Sequence, residues 1–401
     1  MDDSLQKYPV SDRVKTNILD GELWKDCSQD QKQEKYDLNA YFEYYLSRTQ
    51  RFSRDGGIHI SINSHSDILK VARAILRDLT RRTIVSNILC ARNFDHEGLI
   101  MPNDDKADLD RTTTDLCDHK EEDLTKPAND DKADGTVTTD TSTDKQRDPS
   151  PKDDAANATV DLCAGLLLMC EFGVTKFGFR GSNPLPWSDQ QTLRQATTQY
   201  FSKEKALQPE NPRLSRLFTA RNLVSIGGMK VRWTSNLVDH LLLSDDDQTV
   251  FIFYHVGFLR HHTGLNDPVF PEGLAEETLR TLTLLFPQSG DRHAARRWLS
   301  KQMLTEVLDP AILQCGTPRA HDRRFEKFAF WHDRLVMLKQ AFDESSPRGL
   351  RQWWNDRRNS VQWYNFWVAI MVFATALFIG LVQVVEGALQ VYLSWKALQQ
   401  Q

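Results

Sequence analysis

The chain has 401 residues and a formal net charge of −5, from 55 acidic and 50 basic side chains. That length permits one large core or two small ones, and the charge balance contains no basic domain, so nucleic acid is not expected as a ligand. Its six cysteines have no C-x-x-C spacing, which speaks against a zinc site or redox pair and fits a reduced cytosolic domain.

Residues 1–35 are polar and read as loosely ordered, and the opening Met-Asp-Asp-Ser-Leu-Gln lacks the basic start and apolar run of a signal peptide. Residues 36–100 read as the helical N-terminal part of a soluble domain. Tyr36 to Thr49 predicts a short aromatic helix. Ser64 to Asn87 predicts a longer one, with Ile68, Val71, Ala72, Ile75 and Leu79 at the helical period and Ser64 or Ser66 as cap. Composition then changes. Residues 101–160 hold 17 acidic and 8 basic side chains and few large apolar ones. Such a stretch cannot offset its ordering entropy by burial, so 101–159 is expected to be a disordered acidic insert. Within it Asn103–Asp108 recurs as Asn129–Asp134.

Residues 160–355 read as a mixed, mainly helical soluble domain. Leu162 to Cys170 predicts a short apolar helix or buried strand, and Ser188 a cap for a helix to about Phe201. Leu223–Ile226 and Met229–Trp233 read as strands joined at Gly227-Gly228, a tight hairpin. Asn236–Leu243 is expected to be helical, Asp245–Asp247 a turn, and Thr249–Tyr254 a buried strand. Helices follow at Leu274–Phe286, Arg292–Leu308 and His321–Phe342. The fold expected is α+β, predominantly helical, with a small antiparallel sheet among helices and one C-terminal transmembrane helix.

That last helix is the clearest signal. Phe366 to Val385 contains no charge, and at ~1.5 Å per residue it is about 30 Å long, the hydrocarbon thickness of a bilayer. Trp363, Tyr364 and Trp367 precede it and Tyr392 and Trp395 follow, as aromatic belts do. The span is set at 363–388 and a short tail at 389–401. Arg348, Arg351, Arg357 and Arg358 crowd its N-terminal side, against Glu386 and Lys396 on the other. The basic side stays cytosolic, giving tail-anchored topology, with endoplasmic reticulum or secretory membranes favoured. Ala369, Phe373, Ala376, Gly380, Gln383 and Gly387 share one helical face, where small residues let a second helix approach; a homo-oligomer through this helix is a possible arrangement.

Chemistry-bearing patterns are weak. His255, His261 and His262 lie near one another but read as solvated loop histidines. Asp245–Asp247 lacks the glycine and glutamate of a calcium loop, and Gly173-x4-Gly178 is followed by Phe179 and Arg180, so it is no phosphate loop. No Gly-x-Ser-x-Gly or H-E-x-x-H motif occurs. Arg323, Arg324, Lys327, Arg334, Lys339 and Arg348 make the segment before the span basic, either an ordinary charged face or one for anionic headgroups. No catalytic, cofactor-binding or metal-binding residue is assigned.

From Arg221 onward, Trp233-Thr-Ser-Asn-Leu237, Phe270-Pro-Glu-Gly273, Leu284-Leu-Phe-Pro287, Trp331-His-Asp-Arg-Leu335, Trp353-Trp-Asn-Asp-Arg-Arg358 and Val361-Gln-Trp-Tyr364 through Tyr392 resemble a family of uncharacterised fungal (ascomycete) proteins with a C-terminal single transmembrane segment. The resemblance implies taxon and topology and carries over no functional residue; the acidic insert is where this chain departs from the group. The expectation is therefore a tail-anchored membrane protein whose cytosolic domain binds a protein partner, with the lipid bilayer as its other partner. The alternatives are a membrane-bound hydrolase or transferase using the His255–His262 region, and an accessory subunit of a transporter complex.

Overall fold

Helix α1 (Asn39–Ser53) buries Tyr41, Phe42, Tyr44 and Tyr45 and leaves Glu43 and Ser47 exposed. The structure, a computed structural model, describes residues 38–53, 64–93, 151–173, 183–202, 205–263, 269–288, 292–345 and 360–399, together with Lys15, Ile18 and Ile62. The rest of the expected N-terminal stretch 1–35, and residues 101–150 of the expected acidic insert, lie outside them.

The single helix expected over Ser64–Asn87 is two. Helix α2 (His65–Leu76) starts where Ser64 Oγ accepts the Asp67 backbone N–H at 3.1 Å. The chain then turns at Asp78, with φ of 61°, a left-handed conformation that aspartate tolerates, and restarts as α3 (Arg81–Asn93). Helix α4 (Pro151–Leu168) corrects the insert boundary at 159. Proline suits the first helical position, and Ala155, Ala156, Thr159 and Val160 are already buried, so 151–159 belongs to this helix. Helices α2 and α3 pack on α4. The Tyr41 and Tyr44 hydroxyls donate to the Leu166 and Gly165 carbonyls, each at 3.0 Å, satisfying two groups that a helix end leaves open.

Helix α5 (Leu193–Tyr200) begins later than the expected Ser188, because Thr192 and Gln195 form a reciprocal capping box. Helix α6 (Ala220–Ser225) occupies the stretch read as the first strand of a hairpin. Its end is tight: a Cβ on Gly227 would lie 2.8 Å from the Leu223 carbonyl and 2.9 Å from Phe342 Cδ2, so glycine here serves helix packing and not a hairpin turn.

Strands β1 (Lys230–Thr234), β2 (Leu243–Ser244) and β3 (Thr249–Phe253) form a sheet in the order β1-β3-β2. The β2–β3 ladder is antiparallel, as expected. The β1–β3 ladder is parallel, with Lys230 opposite Thr249 and Thr234 opposite Phe253, so the sheet is mixed. The connection from β1 to β3 carries a 3-10 turn at Leu237–Asp239 and then β2, where a helix over Asn236–Leu243 was expected. Asp245, Asp246 and Asp247 form the predicted turn with φ of 55°, 52° and 60°. The central strand β3 is buried at every position, which explains its unbroken apolar run.

Helices α7 (Val256–His262), α8 (Leu274–Leu285) and α9 (Arg292–Thr305) follow. The helix expected over His321–Phe342 is shorter: two 3-10 turns, His321–Arg323 and Phe325–Lys327, precede α10 (His332–Glu344). The Glu277 carboxylate from α8 accepts the backbone N–H groups of Ala329, Phe330 and Trp331 at 2.8–2.9 Å, fixing a non-helical entry. One buried cluster runs from Ile18 through Phe342, so the segments on both sides of the acidic stretch share a core. Tyr41 stacks on Phe258 with ring centroids 6.1 Å apart.

The last element is α11 (Ser360–Leu398), a helix of 39 residues. It continues through most of the expected 389–401 tail. The architecture is α+β and mainly helical, with eleven α-helices, a three-stranded sheet and a long apolar final helix among the described residues.

Candidate functional site

Three features are candidate sites. The first is α11. Its stretch Trp363–Leu398 is long and apolar enough to cross a membrane, and none of its most apolar window is buried. Phe378, Leu381 and Val384 are 69, 66 and 72 % exposed. A helix that is apolar all round and covered by no protein surface has the character of a membrane span. Trp363 and Trp367 sit together at its start, ring centroids 5.8 Å apart, while Tyr364, Tyr392 and Trp395 are exposed. Among the proposed face Ala369, Phe373, Ala376, Gly380, Gln383 and Gly387, a Cβ on either glycine would meet nothing within 4 Å, so the glycines have room for a neighbouring helix.

The second is the histidine group, and here the sequence expectation is corrected. His255, His261 and His262 are not solvated loop residues. They lie at the N-cap and in the last turn of α7, at 1, 8 and 9 % exposure. The physical reason is long-range packing: His255 stacks on Tyr254 at 4.1 Å and meets the edge of Tyr44, and His262 packs on Phe258 at 4.3 Å. Burial pushes His255 down to about 3 and His261 down to about 4. Burial, with His261 beside it, pushes His262 down to about 3. A fourth ring, His240, is pushed down to about 3 by burial and then by Arg334. Its Nδ1 accepts the Phe253 N–H at 3.2 Å, and Thr281 Oγ1, which donates to the Thr278 carbonyl, lies 2.7 Å from Nε2; the neutral Nε2–H tautomer satisfies all three contacts.

His255 Nε2 lies 3.0 Å from Ser235 Oγ, which lies 3.1 Å from the Tyr254 hydroxyl. The spacing is that of a nucleophile and base, but the buried Nδ1 of His255 has no hydrogen-bond partner among the described residues. A triad needs a carboxylate there to orient the ring and stabilise its protonated form. With that group missing and the ring deeply buried, the contact is suited to packing and poorly suited to proton transfer. No group of three His, Cys, Asp or Glu side chains arranged for a metal ion occurs among the described residues.

The third is a cavity of about 1000 Å³ that the sequence did not reveal. Four separated segments build it. Thr219 caps α6 by accepting the Asn222 N–H, which turns Arg221 and Ile226 toward the space. Helix α8 ends before Pro287 and contributes Leu285 and Phe286, whose ring stacks on Trp233 at 5.8 Å. Arg296, Trp298 and Leu299 come from one side of α9. The 3-10 turn Pro310–Gln314 adds Ile312. Asp309 holds that turn, accepting from Ala311 N at 2.8 Å and Gly257 N at 2.7 Å.

Its electrostatics are one-sided. Arg213, Arg216, Arg221, Arg296 and Arg323 line it, and among the described residues no aspartate or glutamate does. Arg323 is 6 % exposed. Burial, followed by the neighbouring Arg216 and Arg213 charges, holds its guanidinium below the ordinary arginine value. One of its N–H groups donates to the Ser215 carbonyl at 3.0 Å. Among the described residues no carboxylate forms an ion pair with Arg213, Arg216, Arg296 or Arg323.

The basic face expected just before the span is dispersed. Arg323 turns into this cavity, Arg334 donates to the Val238 and His240 carbonyls, Lys339 pairs with Asp343, and Arg348 lies outside the described residues. The five arginines carry no local sequence signal, because they are drawn from three stretches brought together only by the fold. No protein-family model matches the chain, no curated protein matches it, and no solved structure matches it.

Proposed function

We propose that this is a single-span membrane protein in which α11 holds the α+β domain at a bilayer surface, on the side marked by Arg351, Arg357 and Arg358. The observation that carries the reading is the exposure of α11 on every side. A dozen Leu, Ile, Val and Phe residues lie between Phe366 and Val385. Insertion of each contributes roughly −0.3 to −0.6 kcal/mol, a total of about −4 to −7 kcal/mol. The function of such a chain is localisation of its domain: a partner on the same membrane meets it at raised effective concentration.

The test is alkaline carbonate extraction of membranes carrying the full chain. The protein pellets with the membranes. Arginine in place of both Leu377 and Leu381 adds about 5–7 kcal/mol at the span's centre and moves it to the supernatant. Unaltered protein found in the supernatant overturns the proposal.

A further inference from the structure

The arginine-lined cavity is a ligand site, and we infer that it takes an organic phosphate with an apolar or aromatic body. The inference concerns the globular domain and does not depend on α11 crossing a bilayer.

Burying one charge beside others of the same sign is unfavourable unless an opposite charge answers it. Arg323 is buried, with the exposed Arg213 and Arg216 near enough to act on its charge, and among the described residues no carboxylate pairs with these three. A fold that needed a positive charge only for stability would have supplied an acid here, as it does for Arg81, which reaches both Asp161 and Asp189 at 2.9 Å. Among the described residues that acid is missing, and an anionic ligand provides it.

The number of cations selects its class. One carboxylate would answer only one of the four guanidinium groups of Arg213, Arg216, Arg296 and Arg323. A phosphomonoester brings a charge of about −1.5 to −2 and three strong acceptor oxygens, which forked N–H donors of two or three arginines can engage together. The other wall selects the ligand's second half. Ile226, Phe286, Trp298, Leu299 and Ile312 give it an apolar, partly aromatic surface. Trp298 is half-buried, so its ring is available to stack. The volume of about 1000 Å³ stands at the upper end for small-molecule sites, so it holds such a molecule with its apolar body inside.

Two sources share this chemistry, an anionic lipid headgroup with its chains and a soluble aromatic phosphate such as a nucleotide. Isothermal titration calorimetry separates them, using the full chain in dodecyl maltoside at 150 mM salt. The ligands are dioctanoyl phosphatidic acid, adenosine monophosphate and inorganic phosphate. One of the two amphiphilic phosphates is expected to saturate with one site per chain. Inorganic phosphate, lacking a body for Trp298 and Phe286, binds at least tenfold more weakly. Which ligand saturates identifies the source.

Arg216→Gln with Arg296→Gln alters two exposed side chains, so the domain folds, and weakens binding at least tenfold. Arg323→Met weakens it further; because that variant changes a buried residue, the exposed pair decides the matter if it does not fold. The proposal is overturned if neither amphiphile saturates by 1 mM, if the double variant binds as the parent does, or if inorganic phosphate binds as tightly as the better amphiphile.

Discussion

Acid will unfold the globular domain, and the buried histidines set where. Burial holds His240, His255 and His262 down to about 3 in the folded chain and His261 down to about 4, against an ordinary value of about 6.5. A group whose folded pKa is depressed contributes stability that is complete above its unfolded pKa. Between 6.5 and about 3 to 4, the unfolded chain binds a proton that the native packing refuses, so stability falls as pH falls through that window, by about 1.4 kcal/mol per pH unit per ring. From pH 7 to pH 5 each ring costs about 2 kcal/mol and the four together about 8 kcal/mol, comparable with a whole domain's stability of roughly 5–15 kcal/mol. Asp161 and Asp239, raised by burial from 3.8, and Glu277, raised by burial from 4.5, act with the opposite sign, which is why the comparison stops at pH 5. The assay is urea unfolding of the full chain in neutral detergent, followed by near-ultraviolet circular dichroism. Trp331 is a suitable reporter, being 1 % exposed with its ring 4.9 Å from that of His240. The urea midpoint should collapse between pH 7 and pH 5, and His255→Gln should flatten the pH slope by one proton. Equal stability at the two pH values, within about 1 kcal/mol, would refute the reasoning.

Glu277→Ala strips the acceptor from three backbone N–H groups at the entry to α10; a loss of about 3 kcal/mol is expected in urea titrations. Glu277→Gln keeps one acceptor oxygen and should lose less. Gly227→Ala places a methyl group against the Leu223 carbonyl and the Phe342 ring, costing about 1–3 kcal/mol and visible as a lowered melting temperature in scanning fluorimetry. Asp309→Ala frees the Gly257 and Ala311 N–H groups, with a loss of about 2 kcal/mol expected; it should also weaken binding of the phosphate ligand, because that turn carries Ile312 into the cavity.

Features written within one segment were legible in the sequence. The uncharged run in α11, the unbroken apolar β3, the Asp245–Asp247 turn, the Ser64 cap and the end of α8 before Pro287 each depend on neighbours in the chain. What misled were choices made by distant partners. Gly227-Gly228 looks like a hairpin until Phe342 closes against Gly227. The 321–342 stretch has a helical period, yet the Glu277 carboxylate takes the three N–H groups that a continuous helix would have used. His255 looks exposed until Tyr44, from the other side of the acidic stretch, packs on its edge. The arginine cavity was least legible, since positions 213, 216, 221, 296 and 323 share no period or motif.

The junction of α3 and α4 has a practical consequence. Both helices rest on one another and on the shared core, although the chain between them runs from Asn93 to Pro151. Their ends are thus pinned by side chains elsewhere, so the length of chain between them is not what holds the two helices together. Evolution can lengthen or trim this seam at little thermodynamic risk, and the repeated Asn-Asp-Asp-Lys-Ala-Asp hexamer is the mark such an expansion leaves. For the bench worker it is the place to splice an epitope or fluorophore, well removed in sequence from both the arginines and the long apolar helix α11.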